Sequence, residues 1–281
     1  MAKPSDAGYE DWVQSALLGG SVFDIALIRL LVKKGILSQE ELLTEMRTVQ
    51  AHHPQEDIAL VGYTEEDCRS DTKLGWHAGG SRATRLLAEM AGISEESAVL
   101  DVGSALGGSA RQLAEHYGCN VTGLDADFLR VFESIKRAKT RRLDDRATFM
   151  LGNAFHMPFG DETFDVVWRQ CAPITPFNEE RLLEECARVL KKGGVFGCQQ
   201  GMRTEDLSEE DTRNDPELQR RSLLDEYRFL VEKVGLQIEK IDTESPTRYD
   251  MDFCESRGLT KQLALYQERK LIAVIFVARK K

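Results

Sequence analysis

The chain has 281 residues, 42% of them hydrophobic, enough for one large domain or one domain with a small appendage. Its formal net charge is −10, so it lacks the excess of Lys and Arg that non-specific binding to nucleic-acid phosphates needs. The first residues contain no apolar core typical of a signal peptide, and no later stretch is apolar for long enough to span a bilayer. We therefore expect a cytoplasmic protein that binds neither nucleic acid nor membrane.

The N-terminal stretch from about Tyr9 to His53 is predicted to be helical. Its apolar residues recur at spacings that keep them near one face, and Gly35 suits a left-handed C-cap. Ser38-Gln39-Glu40-Glu41 then fits a capping box that begins a second helix. We predict an N-terminal helical extension over residues 1–78, which is a hairpin packed on the main domain, a dimerisation element or a lid.

Short apolar runs alternate with helical stretches from Val99 onward, which is the pattern of a doubly wound α/β sheet. Strands are predicted at Val99–Val102, Val121–Leu124, Thr148–Leu151, Phe164–Trp168, Val195–Cys198, Leu236–Ile241 and Leu271–Ala278. Helices are predicted at about Ser81–Met90, Gly108–His116, Phe128–Arg141, Glu179–Leu190 and Glu217–Val234. The strongly charged stretch Arg203–Arg221 is expected to form a solvated helix or lid.

The strongest local signal is the sequence Val-Leu-Asp-Val-Gly-Ser-Ala-Leu-Gly-Gly at residues 99–108. An apolar strand here ends in a carboxylate and a glycine-rich turn, and a helix follows. Small residues in such a turn allow the backbone to approach a ligand closely. The next strand ends at Asp125, about 20 residues after Gly103, where a carboxylate can accept both hydroxyls of a ribose. The pattern predicts a nucleotide-binding site.

Two classes of cofactor fit this motif. Gly103, Ala105 and Gly108 approximate the dinucleotide fingerprint Gly-x-Gly-x-x-Gly with one substitution, as in a nicotinamide-dependent oxidoreductase. A pyrophosphate, however, prefers the positive end of a helix, and Asp101 adds negative charge there. S-adenosylmethionine carries a sulfonium and an ammonium group, which an acidic turn suits better. The motif favours S-adenosylmethionine and leaves the dinucleotide alternative open.

Three later motifs follow the third strand, form the fourth strand and precede the fifth. They are Gly152-Asn153-Ala154-Phe155, Phe164–Trp168 and Ala187–Gly194. With the glycine-rich turn, they resemble the ordered motifs of the Rossmann-like methyltransferase superfamily, over roughly Gly79 to Lys281. The resemblance implies an α/β fold: a methyltransferase sheet with helices on both faces and an antiparallel last strand. It also implies an S-adenosylmethionine-binding domain at residues 79–281.

The resemblance implies that the turn after the first strand binds the methionine part of the cofactor. Gly103, Ser104 and Ala105 would line this part, and Asp101 would organise the turn. Ala105 replaces the usual middle glycine of the family. The turn is therefore expected to lie slightly further from the cofactor, without excluding it.

The next two loops are implied to bind the nucleoside. Asp125 would bind the ribose, and Ala126 would pack on the adenine. Asn153 and Ala154 occupy the place where the family often has Asp-Ala reading the adenine amino edge. An Asn side chain can still accept a hydrogen bond from that amine, although it lacks the charge.

The acceptor side resembles the small-molecule branch, which includes the phosphoethanolamine and the sarcosine/dimethylglycine N-methyltransferases. The stretch His77–Thr84 before the glycine-rich turn carries this likeness. Arg169 and Gln170 are implied to face the methyl-transfer site. Cys171 and Thr175 stand where that branch has an acid and a His. The resemblance therefore does not imply that the substrate of this chain is an amine held by a carboxylate.

The six cysteines contain no Cys-x-x-Cys pair and are expected to be reduced thiols. Cys171 has two interpretations: it lines the pocket as a small buried side chain, or it is a substrate-binding thiolate as in arsenite methyltransferases. Cys68 and Cys254 would complete such a soft-metalloid site, because thiolates suit soft ions. No resident metal is predicted.

His156 and His77 are candidates for a general base, since imidazole titrates near neutral pH, although either also fits an ordinary loop position. Tyr63 and Trp76 are candidates for covering the cofactor or the substrate, or for simple packing against the sheet. Methyl transfer needs little acid–base help because the sulfonium is already activated. Alignment in a dry pocket supplies much of the acceleration.

The sequence thus predicts a methyltransferase that uses S-adenosylmethionine to methylate a small molecule by in-line displacement. The N-terminal helices and the segments after Gln200 would shape the acceptor pocket, and an N-terminal dimerisation element would make the protein a homodimer. Three alternatives remain: a metalloid methyltransferase, a non-catalytic S-adenosylmethionine-binding regulatory protein and a nicotinamide-dependent oxidoreductase.

Overall fold

The computed structural model describes residues 79–171, 179–212, 218 and 221–281. The predicted helical extension over 1–78 lies outside these residues, and its boundary with the main domain stays a prediction. The same holds for several candidates named above: Tyr63, Cys68, Trp76, His77 and Thr175.

The described residues form seven strands with helices between them. The strands are β1 (Ala98–Val102), β2 (Asn120–Asp125), β3 (Ala147–Leu151), β4 (Phe164–Gln170), β5 (Leu190–Arg203), β6 (Leu236–Asp242) and β7 (Leu271–Lys280). The helices are α1 (Gly80–Ala91), α2 (Gly108–Tyr117), α3 (Phe128–Thr140), α4 (Glu179–Val189), α5 (Glu209–Thr212), α6 (Leu224–Lys233), α7 (Glu244–Arg257) and α8 (Thr260–Gln267).

The strands form one mixed sheet in the order β3-β2-β1-β4-β5-β7-β6. The first five strands of the chain are parallel, with Val99 of β1 between Val121 of β2 and Val166 of β4. Strand β7 runs antiparallel to both β5 and β6. The strand order reverses direction between β1 and β4, and in open α/β sheets ligands bind beyond the carboxyl ends of the strands at such a point. The predicted antiparallel last strand is confirmed.

The two faces of the sheet carry separate helix layers. On the first face, Val99 and Trp168 pack with residues of α1, α2 and α3. On the second face, Val167 and Phe196 pack with α4 and α6. Because successive residues of a strand point to opposite faces, neighbours in the sequence belong to different cores. The predicted α/β architecture with helices on both faces is confirmed.

Helices α7 and α8, which connect β6 to β7, were missed by the sequence analysis. The buried stripe of α7 consists of Thr247, Asp250 and Cys254, each no more than 6% exposed. These residues recur at helical spacing, but two of them are polar. The segment therefore shows no hydrophobic periodicity from which a helix can be predicted.

Two predicted elements differ in their bounds. Strand β5 is longer than predicted, because pairing with β7 extends it to Arg203, beyond the end of β4. Helix α6 begins at Leu224 instead of near Glu217, because Leu223 forms a bridge with Arg203. Nor is the charged stretch simply a solvated surface. Arg203 is buried and donates to Asp206, and its Nε also donates to the carbonyl of Arg221.

Candidate functional site

The glycine-rich turn after β1 is fastened to the end of β2. The backbone N–H groups of Gly103 and Ser104 both donate to the carbonyl of Leu124, at 2.8 and 3.1 Å. Gly103 has a φ of +73°, and Ala105 has a φ of +47°. Ala105 therefore occupies the left-handed region without being glycine, which costs roughly 1 kcal/mol. The turn thus holds alanine in a conformation that favours glycine.

Asp125 holds the same turn from the end of β2. Its Oδ2 accepts the N–H of Ala105 at 2.8 Å, and its Oδ1 accepts the N–H of Asp127 at 2.9 Å. Burial raises the pKa of Asp125, although these two hydrogen bonds and the charge of Arg130 oppose the shift. A carboxylate oxygen can accept more than one hydrogen bond, so Asp125 can still bind two hydroxyls.

Asp101 and Ser104 leave polar atoms without partners beneath the turn. The Asp101 side chain is 2% exposed, and Ser104 is 6% exposed. Among the described residues, neither Asp101 Oδ2 nor Ser104 Oγ has a hydrogen-bond partner. Burial, and then the neighbouring Asp125 carboxylate, raise the pKa of Asp101 to about 7, against a hydrogen bond from the backbone of Ala110. Such orphaned buried atoms indicate a missing ligand, and an acid beside them favours a cationic one.

The loop after β3 joins this site through the backbone of Asp125, whose carbonyl accepts the N–H of Gly152 at 2.9 Å. Asn153 and Ala154 follow and are half-buried. The Asn153 side chain accepts the N–H of Phe155 at 2.8 Å, which forms a tight turn. Ala126, which comes directly after Asp125, is exposed. The predicted residues of the first three loops thus meet at the carboxyl edge of the sheet.

Arg169 has a different environment from the predicted one. Its guanidinium donates to both carboxylate oxygens of Glu179, each at 3.0 Å, and to the hydroxyl of Tyr227 at 2.7 Å. The side chain is 1% exposed and lies on the second face, below α4 and α6. The structure does not bring Arg169 together with the glycine-rich turn. We therefore assign it a role in the core instead of at the methyl-transfer site.

Gln170 points to the first face and contacts the start of α2. Its Oε1 accepts the hydroxyls of Ser109 at 2.7 Å and Thr84 at 3.2 Å. Its Nε2 donates to Gln199 Oε1 at 2.6 Å. Ser109, Thr84 and Gln199 were not predicted as site residues. The available signal was that Gln170 and Gln199 end apolar runs on adjacent strands, where they pair directly.

Cys171 ends β4 with a φ of +50°, and its N–H donates to the carbonyl of Gln199 at 2.7 Å. Its thiol is close enough to Asp250 and Arg221 for both charges to act on it. Burial raises the pKa of Cys171 far above its ordinary value, and Asp250 adds to the shift. The thiol is therefore protonated, which fits pocket lining better than a thiolate nucleophile.

The metalloid hypothesis gains no support from the described residues. Cys254 lies on α7, one turn from Asp250, and burial raises the pKa of its thiol as well. Cys68 is not among the described residues, and within them no group of three or more His, Cys, Asp or Glu side chains is placed to hold a metal ion. The hypothesis stays a prediction.

His156 follows the tight turn at Asn153 and is exposed. Its Nδ1 lies 3.3 Å from Nη2 of Arg181, on α4. A guanidinium can only donate, so Nδ1 is the acceptor in this contact. His156 therefore points toward α4, away from the face that carries Gln170, and a role as general base stays an untested prediction.

Comparison with known proteins finds a family model that matches the central region. Residues 99–194 match the family model described as a methyltransferase domain. They contain the glycine-rich turn, Asp125 and the loop after β3, and the predicted likeness to the Rossmann-like methyltransferase superfamily is confirmed.

The chain is similar to sterol 24-C-methyltransferases over part of its length. It is 39% identical to the enzyme of Schizosaccharomyces pombe over 126 residues, which are 45% of this chain and 33% of that protein. The chain thus matches about a third of the length of such curated relatives.

Two solved structures share the fold. A Haemonchus contortus phosphoethanolamine N-methyltransferase, in complex with phosphomonomethylethanolamine and S-adenosylhomocysteine, has a TM-score of 0.67 at 20% identity, covering 79% of this chain and 59% of that chain. The [4+2]-cyclase SpnF has a TM-score of 0.58 at 24% identity, covering 71% and 80% of the two chains. The Rossmann-like methyltransferase fold is confirmed, and the same fold carries more than one chemistry.

The turn also depends on Gly107, the N-cap residue before α2, which has a φ of +71°. A Cβ on Gly107 would lie 2.5 Å from two ring carbons of Phe149.

Gly107→Ala is expected to lower the free energy of unfolding by about 2–4 kcal/mol, from the backbone conformation and the overlap together. Gly193→Ala is the matched control, because Gly193 has a φ of +74° and open space around it. Urea denaturation should show a loss of only about 1 kcal/mol there. Equal losses in the two variants would contradict the predicted contact with Phe149.

Proposed function

We propose that this protein is an S-adenosylmethionine-dependent methyltransferase that methylates a small molecule by in-line displacement. The observation that carries the proposal is the pair of buried, unpartnered atoms under the turn, Asp101 Oδ2 and Ser104 Oγ. A cationic cofactor with hydrogen-bonding groups satisfies both, whereas a pyrophosphate would meet the Asp101 carboxylate. The methyltransferase domain and its relatives support this choice of cofactor.

The residues of the three loops fit S-adenosylmethionine as the family likeness implies. We propose that Gly103, Ser104 and Ala105 line its methionine part. Asp101 provides negative charge below, and Asp125 accepts the ribose hydroxyls while it holds Ala105 in place. For the nucleoside, we propose that Ala126 packs on the adenine and that Asn153 and Ala154 contact its edge.

The bound cofactor supplies a methyl group on an activated sulfonium. The chain has to orient the acceptor, exclude water and stabilise the positive charge until transfer. Gln170 is placed for orientation, because its amide is fixed by Ser109, Thr84 and Gln199. The hydrogen bonds of this network fix the Gln170 amide, and its members are amides and hydroxyls that do not act as a general base. Methyl transfer has little need of acid–base catalysis.

Calorimetry with S-adenosylmethionine and with NADH tests the cofactor. Because Asp101 has a pKa of about 7, its carboxyl is neutral below that pH and must lose its proton when a cation binds. Affinity for S-adenosylmethionine should rise by up to about tenfold per pH unit below pH 7 and level off above it. NADH should not bind.

Asp101→Asn should weaken cofactor binding and remove this rise with pH. Any change of affinity with pH that remains in this variant comes from other groups, such as the titrating groups of the ligand itself. The variant therefore serves as the control for the wild type. A wild-type affinity that does not change between pH 5.5 and 7, or a failure of S-adenosylmethionine to bind at all, would remove Asp101 from the cofactor site.

A non-catalytic S-adenosylmethionine-binding protein is the second candidate. It is favoured by the acceptor side, where Cys171 replaces the usual acid. Release of S-adenosylhomocysteine over a panel of small molecules separates the two functions. A protein that binds S-adenosylmethionine and releases no product with any acceptor class supports the second candidate.

The cellular setting is part of the proposal. Among the described residues no helix combines the length and apolar character needed to cross a bilayer. We propose a cytoplasmic location and a small-molecule partner, and a homodimer through the N-terminal extension. Size-exclusion chromatography with light scattering, on the whole chain and on residues 79–281, tests the dimer.

A further inference from the structure

A chain of three polar side chains lies inside the fold near the end of β4. Arg221 Nη1 donates to the hydroxyl of Tyr266 at 3.0 Å, and this hydroxyl donates to Asp250 Oδ2 at 2.6 Å. Asp250 is 6% exposed and Tyr266 is 4% exposed. Among the described residues, the second oxygen of the carboxylate, Asp250 Oδ1, has no hydrogen-bond partner. A buried carboxylate oxygen without a donor is costly, so a donor from a ligand or from an ordered water is expected there.

The surroundings of this carboxylate are apolar. Tyr266 belongs to a separate hydrophobic cluster between α7, α8 and the start of β7. The other members are Leu207, Leu218, Cys254, Leu265 and Leu271, with Met251 and Leu263 packed against them. A molecule that reaches Asp250 from the side of this cluster therefore contacts mostly hydrocarbon.

The cluster lies on the same face of the sheet as the proposed transfer site. Gly201 and Gln199 are two residues apart on β5, so they point to the same face about 7 Å from each other. A Cβ on Gly201 would collide with the Arg221 guanidinium, so glycine is required for Arg221 to reach Tyr266. Gln199 in turn is hydrogen-bonded to Gln170, which contacts α2. Arg221, which is linked to the carboxylate through Tyr266, thus lies on the face of the sheet that carries Gln199 and Gln170.

The charges around Asp250 select against ions. The Arg221 guanidinium and the Asp250 carboxylate are joined through one hydroxyl and balance each other. A cationic group at Oδ1 would leave one net positive charge in this buried site, close to the guanidinium. An anionic group would leave one net negative charge, next to the carboxylate. A neutral donor, by contrast, satisfies Oδ1 without adding charge to a buried site.

We propose that the methyl acceptor is a neutral, largely apolar molecule whose hydroxyl group donates a hydrogen bond to Asp250 Oδ1. Asp250 is then a specificity-determining residue that anchors one end of the acceptor, while Tyr266 and Arg221 position it. This inference rests on the proposed methyltransferase function and names its substrate class.

Binding of two probes with the same octyl chain, one with a hydroxyl proton and one with a methyl group in its place, tests the proposal. The whole chain, saturated with S-adenosylhomocysteine, is titrated with 1-octanol and with octyl methyl ether, which lacks the hydroxyl proton. The wild type should bind octanol about tenfold more tightly or better, as expected for a hydrogen bond to a charged group. In Asp250→Leu the ratio should fall to about one, while the ether still binds.

Asp252→Leu is the matched control. Asp252 lies on the same helix but is exposed and paired with Arg82 at the surface. Its replacement should leave the preference for octanol unchanged. Tyr266→Phe is a second, milder variant, which removes the hydrogen bond to Asp250 Oδ2 and keeps the ring.

A pH series gives a readout that a purely structural role would not move. Burial raises the pKa of Asp250 to about 6, while hydrogen bonding to Tyr266 and the charge of Arg221 lower it. The groups that face it are Tyr266, Arg221, Cys171 and Cys254, and burial keeps the phenol and both thiols protonated near neutral pH. The preference for octanol should therefore decline as the pH falls through about 6. In Tyr266→Phe this midpoint should move upward.

The proposal is overturned if the wild type binds octanol no better than the ether, or if Asp250→Leu keeps the preference. Calorimetry with S-adenosylhomocysteine in the same samples separates this result from the cofactor question. Cofactor binding without a preference for octanol leaves the methyltransferase function standing and removes the acceptor class. Absence of cofactor binding removes the methyltransferase function itself.

Discussion

Glu179→Gln is expected to lower the free energy of unfolding by about 3–5 kcal/mol at neutral pH, the usual cost of leaving one charge of a buried pair alone. Glu179 and Arg169 are 4% and 1% exposed, and the carboxylate accepts two parallel hydrogen bonds at 3.0 Å. Glutamine has nearly the same shape but no charge, so the buried guanidinium loses its ion pair with the Glu179 carboxylate. Equilibrium denaturation in urea measures the loss directly.

An exposed pair of the same geometry provides the control. Glu244 accepts two hydrogen bonds from Arg269 at 2.8 and 3.0 Å, but both side chains are more than half exposed. Glu244→Gln should cost less than about 1 kcal/mol. Similar losses at Glu179 and Glu244 would show that burial does not control the effect. The double variant Arg169→Met with Glu179→Leu should recover most of the stability, because it removes both charges.

Asp125→Ala is expected to weaken S-adenosylmethionine binding by at least about 100-fold, which corresponds to two hydrogen bonds to a charged group. The substitution removes the acceptor for the ribose hydroxyls and also releases the N–H of Ala105, which Asp125 holds at 2.8 Å. Both losses act on the same loop. Calorimetry of the folded variant gives the affinity, and circular dichroism confirms that the chain remains folded.

Asp165→Ala controls for the backbone contribution. Like Asp125, Asp165 accepts a backbone N–H from a neighbouring strand, that of Ala98 at 3.0 Å. It lies near the amino end of β4, however, at the opposite edge of the sheet from the turn. Its removal should reduce stability and leave cofactor affinity unchanged. A loss of affinity similar to that of Asp125→Ala would mean that general loosening of the sheet explains both.

The parallel half of the fold and the cofactor loops followed from the sequence because each depends on local signals. Apolar strands, a glycine-rich turn and an acid at the end of the second strand are contiguous patterns. The order of these patterns along the chain fixes which loops meet at the carboxyl edge. The residues of the turn and of the next two loops are accordingly found together.

The acceptor side did not follow, for two physical reasons. Arg169 and Gln170 are adjacent and polar, so the sequence does not tell which one faces the core, and burial of Arg169 depends on a distant partner, Tyr227. Asp250 and Tyr266 lie on helices whose buried positions are partly polar, and they meet Arg221 only through the tertiary fold. Contacts between residues so far apart in the sequence leave no periodic trace.

The buried carboxyl group of Asp101 makes the stability of the fold depend on pH and, under the proposed function, on the bound cofactor. Asp101 has a pKa of about 7 when folded, against 3.8 ordinarily, so the free fold loses stability as the pH rises from about 4 to about 7. A ligand that binds only the folded chain restores about 2.7 kcal/mol at a concentration 100 times its dissociation constant. Chains made while methyl donor is scarce then unfold more often and are degraded sooner by proteases. Under the proposed function, the supply of donor thus sets the amount of enzyme as well as its rate.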